Sequence, residues 1–328
     1  MTTSLRWGIL GTGGIAEEQT RDLQANGFTV SAVGSRSQEG ADAFAAKFGI
    51  PTAHASYEAL AADPEIDAIY VATPHPFHAD NAELALRGGK HVLVEKPFTL
   101  NRSEAERIVA LAEETGLVIL EAMWTRYLPT MIRLREIIAA GTLGDVRTVI
   151  ADHNQNLPKD PAHRLNNPAL GGGALLDLGI YPVSFAWDIL GEPTSVLATA
   201  TMTATGVDRQ TAILLGYADG QQAVLHTALD TAGPNTASVI GTEGWVALEK
   251  TFYAPTAFTV FDEKGDVVER YEPTESDSRG MEYQAWELER LVAAGDTAGT
   301  ILSPRESVGI MGTLDEVRRQ IGLAYPGE

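Results

Sequence analysis

The stretch Leu5-Arg6-Trp7-Gly8-Ile9-Leu10-Gly11-Thr12-Gly13-Gly14-Ile15-Ala16 decides how the N-terminal part of the chain folds. Leu5 to Leu10 is a short β-type run, and the amphipathic pattern from about Ile15 to Asn26 predicts a helix directly behind it. A strand, a glycine turn and a helix in that order open a βαβ unit. Four further short runs rich in Val, Ile, Leu or Ala follow at tight spacing: Phe28–Ser35, Asp67–Thr73, His91–Glu95 and Leu117–Ala122. Phe48-Gly49 and Arg87-Gly88-Gly89 end the helices between them, and Asn101 with Glu104 makes a capping box. The alternation predicts an α/β Rossmann domain, a doubly wound parallel sheet, over residues 1–123.

The rhythm changes after residue 123. A helix is expected from about Thr130 to Ala140, stopping at Gly141. Strand-type runs then follow one another at 146–154, 194–204, 210–218, 221–229, 235–240, 244–249, 257–261 and 266–271. Ala218-Asp219-Gly220 and Glu263-Lys264-Gly265 supply tight turns, so residues 124–328 are expected to form an α+β domain with a large, mostly antiparallel sheet. Two helices close the chain, the last entered through the capping box Ser303-Pro304-Arg305-Glu306. In Thr211–Tyr217 apolar groups fall on both faces of one strand. Either both faces are buried within one subunit, or a partner's sheet covers one of them, as in a homodimer or homotetramer.

Composition narrows the function. The 328 residues hold 24 Lys+Arg against 44 Asp+Glu, a net charge of -20, and no cysteine. Thiol nucleophiles, disulfide couples, iron–sulfur clusters and Cys-based zinc sites are therefore excluded. The histidines show no metal-ligand spacing such as H-E-x-x-H, and no metal site is expected. Scattered cations on an acidic chain do not make the basic stripe that nucleic acid or an anionic membrane surface requires. The N-terminus has no cationic segment followed by a long apolar core, so a cytoplasmic protein acting on a small molecule is expected.

Gly11-Thr12-Gly13-Gly14-Ile15-Ala16 is a G-x-G-x-x-A placed between the first strand and the first helix, the context in which such glycines bind a dinucleotide pyrophosphate. The second strand ends Val33-Gly34-Ser35-Arg36-Ser37, with no carboxylate for a ribose 2′-hydroxyl. Ser35 and Arg36 can instead bind a 2′-phosphate, so NADP is preferred over NAD, the alternative being a surface Arg at a strand end.

The strand His91–Val94 runs into Glu95-Lys96-Pro97. Ligands of open α/β sheets lie beyond the carboxyl ends of the strands, so Lys96 is aimed where a nicotinamide would lie. There its ammonium is expected to titrate low, to hydrogen-bond a substrate oxygen and to lower the pKa of a neighbouring acid/base; a strand-edge ion pair is the bland alternative. Asp177 and Tyr181, at i and i+4 of a predicted helix running to Leu190, share a face and could orient a hydroxyl and pass its proton. Pro182 cannot donate to the Leu178 carbonyl and loosens that turn. A core tyrosine beside a solvated aspartate is the competing reading. His153 and Arg164 are further candidates to reach substrate.

Together G-x-G-x-x-A, Glu95-Lys96-Pro97 and the Gly171–Tyr181 block resemble the glucose–fructose oxidoreductase/inositol dehydrogenase (Gfo/Idh/MocA) family over nearly the whole chain. The stretches 95–101, 121–129 and 171–177 are most similar to its branch of dimeric dihydrodiol dehydrogenases and NADP-dependent D-xylose 1-dehydrogenases. The resemblance implies an NADP-dependent oxidoreductase acting on a CH–OH group of a sugar or cyclic diol. It makes Lys96 and Tyr181 catalytic, with Tyr181 as acid/base, and gives Asp177 the substrate. It also implies that Trp124 and Arg126 line the nicotinamide and substrate pocket, and that Thr73-Pro74-His75-Pro76-Phe77-His78 and Glu95 border the cofactor. Two other activities on the same fold are nicotinamide-assisted glycoside elimination and non-catalytic sensing of a sugar or dinucleotide.

Overall fold

A computed structural model describes residues 4–274 and 278–328. The chain forms two compact units, Met1–Trp124 with Ser276–Met311, and Thr125–Glu275 with Gly312–Glu328. A division by position at residue 123 thus captures the first passage of the chain, which later returns to the first unit.

In the first unit the order is β1 (Arg6–Leu10), α1 (Gly14–Ala25), β2 (Thr29–Gly34), α2 (Gln38–Phe48), β3 (Thr52–His54), α3 (Tyr57–Ala61), β4 (Ala68–Val71), α4 (His78–Arg87), β5 (His91–Glu95), α5 (Arg102–Thr115) and β6 (Ile119–Ala122). Six parallel strands lie in the order β3-β2-β1-β4-β5-β6. The edge strand β3 has three residues, too few for a readable pattern, and was not among the expected runs. The cap signals hold: Asn101 Oδ1 accepts from the Glu104 N–H at 3.0 Å, and Gly49 ends α2 with φ 67°.

The second unit contains α6 (Pro129–Ala139), β7 (Val146–Asn154), α7 (Ile180–Leu190), β8 (Ser195–Met202), β9 (Asp208–Gly216), β10 (Gln222–Ala228), β11 (Ala237–Gly241), β12 (Gly244–Leu248), β13 (Phe258–Asp262) and β14 (Val267–Tyr271). The eight strands run β14-β13-β12-β11-β7-β10-β9-β8, antiparallel except for the β7–β10 pair. The segment Pro168–Leu190 has the length and apolar character of a membrane span, yet it is buried inside the protein. The opposite sheet face is open. Leu197, Leu214, Val224 and Ile150 occupy one register row across β8, β9, β10 and β7, and each is exposed, Leu197 by 63% and Val224 by 46%. Burial of both faces within one subunit is therefore not what the fold provides.

Two helices follow, α8 (Glu282–Ala294) and α9 (Pro304–Ile321). Ala285, Leu288 and Leu291 of α8 join a core with Trp7, Phe28, Tyr70, Leu93 and Leu120, and the Trp7 indole donates to Glu289 at 3.0 Å. That arrangement makes α8 one of the walls of the dinucleotide-type sheet. Leu288 is fully buried, so Leu288→Ala is expected to lower stability by about 2–4 kcal/mol in urea unfolding; a helix that merely lies alongside would tolerate the change.

Candidate active site

The expected site residues fall in both units. In the first, Gly11 takes φ +108°, and a Cβ there would stand 3.0 Å from the Ala72 carbonyl oxygen of the neighbouring strand. Only glycine lets β1 turn so close to the end of β4. Gly13 and Gly14 face open space, and α1 starts at Gly14 with no side chain capping its N–H groups. Thr12 and Ile15 flank them, half-buried. Uncapped N–H groups behind a bare glycine turn fit a pyrophosphate, which a side chain at either glycine would displace.

At the end of β2 the Ser35 N–H donates to His54 O at 3.1 Å, and Gly40 lies so close that a Cβ would come within 2.9 Å of Ser35 Oγ. Arg36 is exposed. Among the described residues every other arginine has a carboxylate within ion-pair distance, and Arg36 has none. Its charge reaches the Tyr57 phenol, whose pKa burial raises.

The turns after β4 and β5 are tied to each other. The buried His78 ring places its nitrogens 2.7 Å from Thr73 O and 2.8 Å from Pro97 O. A neutral ring donates to one of them; burial first, then the Lys96 ammonium, holds its pKa below the ordinary value. Asn81 Nδ2 donates to the Thr73 hydroxyl at 3.1 Å. Glu95 is buried, accepting from the Tyr70 hydroxyl and, at 3.2 Å, from the Lys96 N–H. Glu121 accepts from the Phe98 N–H at 3.1 Å and from Ser307 at 2.7 Å. Lys96, half-buried at the end of β5, is thus the side chain that this scaffold presents. His78 and Glu95 were expected at the cofactor; both turn inward as struts, because their polar atoms are taken up by neighbouring backbone and Tyr70. His75 is also buried, its ring 5.7 Å from that of His78, while Pro74 is exposed. Trp124 is buried, with the Arg279 guanidinium 5.8 Å from its ring centroid.

In the second unit, Leu175–Gly179 forms a wide π-type turn that leads into α7. Pro182 has no N–H for the Leu178 carbonyl, which accepts instead from His153 Nδ1 at 3.2 Å. Gln155 Nε2 donates to His153 Nε2 at 2.8 Å and to the Tyr253 hydroxyl at 3.2 Å. In this arrangement His153 donates from Nδ1 and accepts at Nε2. Its ring stacks on Tyr253 at 3.9 Å, and both rings pack against Tyr181 at 5.0 Å. One turn earlier, Asp177 Oδ1 accepts from both terminal nitrogens of Arg164 at 3.2 Å. Arg164 remains half-exposed and Asp177 is buried. Arg126, expected to line the pocket, is 2% exposed, donates to Ser184 O at 3.0 Å and pairs with Asp188 at 3.2 Å, so its charge is matched inside the unit.

Several residues of this unit were not singled out in the sequence. Tyr253 and Gln155 join Tyr181 only through the tertiary fold; the adjacent aromatics Phe252-Tyr253 were the available signal. Asp208, wholly buried, accepts from the Leu175 N–H at 2.8 Å and from Thr211 at 2.7 Å, capping the turn that carries Asp177. Gly173, at φ +121°, passes so close that a Cβ would stand 2.2 Å from Asp208 Oδ1.

Comparison with known proteins agrees with this geometry. Residues 5–122 match the oxidoreductase family model with an NAD-binding Rossmann fold, and residues 131–247 match the GFO/IDH/MocA C-terminal domain. The chain belongs to the Gfo/Idh/MocA oxidoreductase family. It is 36% identical over 332 residues to the trans-1,2-dihydrobenzene-1,2-diol dehydrogenase of Bos taurus, covering 98% of each chain. The Xenopus tropicalis enzyme of the same name is 34% identical, with 98% of this chain and 99% of that one covered. A 3-ketoreductase from Actinomadura kijaniata, solved with NADP and TDP-benzene, superposes with a TM-score of 0.86 at 27% identity over 97% and 98% of the two chains. An aldose–aldose oxidoreductase from Caulobacter crescentus shares the fold, with a TM-score of 0.87 at 24% identity over 97% of each chain. Within the family frame this chain is a dehydrogenase acting on CH–OH groups.

Burial pushes the Asp208 carboxyl up to about 6 from an ordinary 3.8. The folded chain then binds that proton more tightly than the unfolded one, so the contribution is full below about 3.8 and is lost as pH rises through about 6. Asp208→Asn keeps an acceptor for Leu175 and Thr211. Between about pH 7 and pH 4, wild type is expected to gain roughly 2–3 kcal/mol relative to this variant in paired urea titrations; a flat difference would show an ordinary carboxyl.

Proposed function

We propose that the protein is an NADP-dependent dehydrogenase that oxidises a carbinol carbon of an aldose-type sugar or a cyclic trans-diol. Two observations carry the reading: a half-buried lysine at the end of β5 in the first unit, and in the second a phenol just beyond a π-type turn. The Tyr181 ring is fixed by His153 and Tyr253, and a buried Asp177 is presented one turn away. The relatives named dihydrodiol dehydrogenase act on a diol, and the ketoreductase neighbour was solved with NADP; both support the same class.

When bound, the nicotinamide supplies the hydride acceptor. The remaining work belongs to side chains of this chain. Gly11 to Ile15 give the dinucleotide a bare turn and uncapped N–H groups. Ser35 and Arg36 hold the 2′-phosphate, to which a guanidinium without a carboxylate partner is suited. Lys96 hydrogen-bonds the substrate oxygen, and Tyr181 takes the hydroxyl proton. Oxidation therefore accelerates as pH rises and the phenol ionises. Asp177, clamped by Arg164, accepts from a second hydroxyl. The aromatic group of His153, Tyr181 and Tyr253 suits the C–H face of a sugar or diol ring.

We further propose a homodimer or homotetramer through the open face of the eight-stranded sheet. Leu197, Leu214, Val224 and Ile150 form an exposed apolar row, which a second copy of the same face would bury. Leu214→Lys with Val224→Lys is expected to give a folded monomer in sedimentation analysis; an unchanged mass would rule this face out.

The activity is tested by following reduced nicotinamide at its absorbance maximum over a panel of aldoses, inositols and trans-dihydrodiols, with NADP and NAD in parallel. Tyr181→Phe and Lys96→Met are each expected to lower kcat by about 10²–10⁴-fold with the best substrate. Near-full kcat in either would remove that residue from the chemistry. Arg36→Ala is expected to raise the NADP Kd at least about tenfold and leave NAD unchanged.

A further inference from the structure

We propose that Arg279 is a second cation of the cofactor site, closing on the diphosphate of the bound dinucleotide from the face opposite the glycine turn. The inference rests on the dinucleotide assignment and adds a residue that no glycine motif or strand-end pattern indicates. Its backbone is anchored: Asp22 Oδ2 on α1 accepts from the N–H groups of Arg279 and Met281 at 3.2 and 3.1 Å. Gln284 Nε2 donates to Gln19 Oε1 at 2.9 Å, one turn along the same helix. The start of α8 is thereby pinned to α1, and the side chain of Arg279 leaves from a fixed point.

Two distances place the guanidinium. It lies 5.8 Å from the centroid of the Trp124 ring, two residues beyond the carboxyl end of β6. It also lies 3.6 Å from Glu18, one turn into α1 from Gly14. A group near both stands at the carboxyl edge of the parallel sheet, on the α1 side. That is the edge at which Gly13 and Gly14 open onto empty space. A dinucleotide extending from Arg36 at the end of β2 across the Gly11–Gly14 turn toward β5 has to pass there.

Among the described residues this guanidinium is loosely held. Glu17 and Glu18 sit in the first turns of α1 and would oppose a diphosphate. Glu17 pairs with Lys47 at 2.6 Å and Arg21 at 3.2 Å, and Glu18 with Arg21 at 2.5 Å. Lys47 and Arg21 make the short pairs with these two carboxylates, and Arg279, whose charge also faces Asp22, is left with the long pair to Glu18. Its own pair with Glu18 is long, and its side chain is 53% exposed. Cation–π attraction to Trp124 holds the planar group without consuming its N–H donors.

The test is equilibrium titration of the full-length protein by intrinsic fluorescence or calorimetry. NADP, NAD and adenosine 2′,5′-bisphosphate, which has the 2′-phosphate but no diphosphate bridge, are compared on wild type, Arg279→Gln, Arg279→Lys and Arg36→Ala. Arg279→Gln is expected to weaken NADP and NAD by the same factor, about tenfold, and to leave the bisphosphate within about twofold. Arg279→Lys should recover part of the loss. Arg36→Ala should show the complementary pattern, losing NADP and bisphosphate but keeping NAD. Unchanged dinucleotide affinity in Arg279→Gln would overturn the proposal, as would equal weakening of all three ligands with a lowered Tm, the mark of a structural role. Wild type that binds neither dinucleotide would overturn the cofactor assignment itself, a result distinct from either.

Discussion

A chain with a net charge of -20 can hold a strongly anionic cofactor only where it leaves cations unmatched. Among the described residues every arginine except Arg36 has a carboxylate within ion-pair distance, the pair being long at 3.6 Å for Arg279 and Arg209. Arg126 and Arg135 share the buried Asp188, Arg318 is closed between Asp315 and Glu328, and Arg133 spans Glu136 and Glu269. The Lys90 ammonium is likewise committed, donating to the carbonyls of Asp63 and Ile66. Against that background an exposed Arg36 beside Ser35 is informative. The field of the protein repels a dinucleotide at long range, so recognition has to be short-range and directional. In the proposed binding mode, backbone N–H groups of α1 and a very small number of side chains would supply it.

The second unit solves a different problem, namely how to present a phenol on an apolar helix. A regular helix through residue 182 would close the Leu178 carbonyl and leave His153 without its acceptor. Proline withholds that N–H, and the Leu178 carbonyl meets the imidazole that backs Tyr181. Asp208 completes the arrangement from the other end. A buried carboxylate is costly unless its acceptors are used, and here Oδ2 receives both the Leu175 N–H and the Thr211 hydroxyl while Oδ1 is buried without a hydrogen-bond partner among the described residues. The energetic cost shows as the raised pKa, and the return is a defined start for the turn that carries Asp177. The glycines before it follow from the same crowding: Gly172 runs against the Leu165 carbonyl, and Gly173 against Asp208 itself.

What could be read from the sequence is what local chemistry determines. G-x-G-x-x-A, the capping boxes and the hairpin turns each fix a few neighbouring residues, and the strands of both sheets fall within a few residues of where the alternation puts them. Lys96 and Asp177 were legible because a strand end and a motif place them. Side-chain direction was not legible. His78, Glu95 and Arg126 have the chemistry of ligands, and the fold turns all three onto internal partners that lie far away in the sequence, or on a carbonyl that no pattern marks. Tyr253, Gln155, Glu121 and Asp208 were missed for the converse reason. Their importance comes from the positions they support, and those meet them only after folding. The return of α8 to the first unit belongs to the same class, because an amphipathic helix does not reveal which sheet its apolar stripe covers.

The open sheet face shows where a two-sided strand pattern becomes decisive. Ile213 and Leu215 are buried, while Leu214 between them is exposed. Alternation alone would have put a polar residue at that position in a sheet meant to face water. Register extends the anomaly across four strands, since Leu197, Leu214, Val224 and Ile150 lie side by side. One exposed leucine is ordinary on a protein surface; a contiguous row of four on neighbouring strands is not, and it is the observation behind the proposed assembly. A twisted sheet is complementary to a second copy of itself across a twofold axis, and such an interface buries the row without any new element of structure. The apolar residues that made the strand ambiguous within one chain are then those that an assembly of two would use.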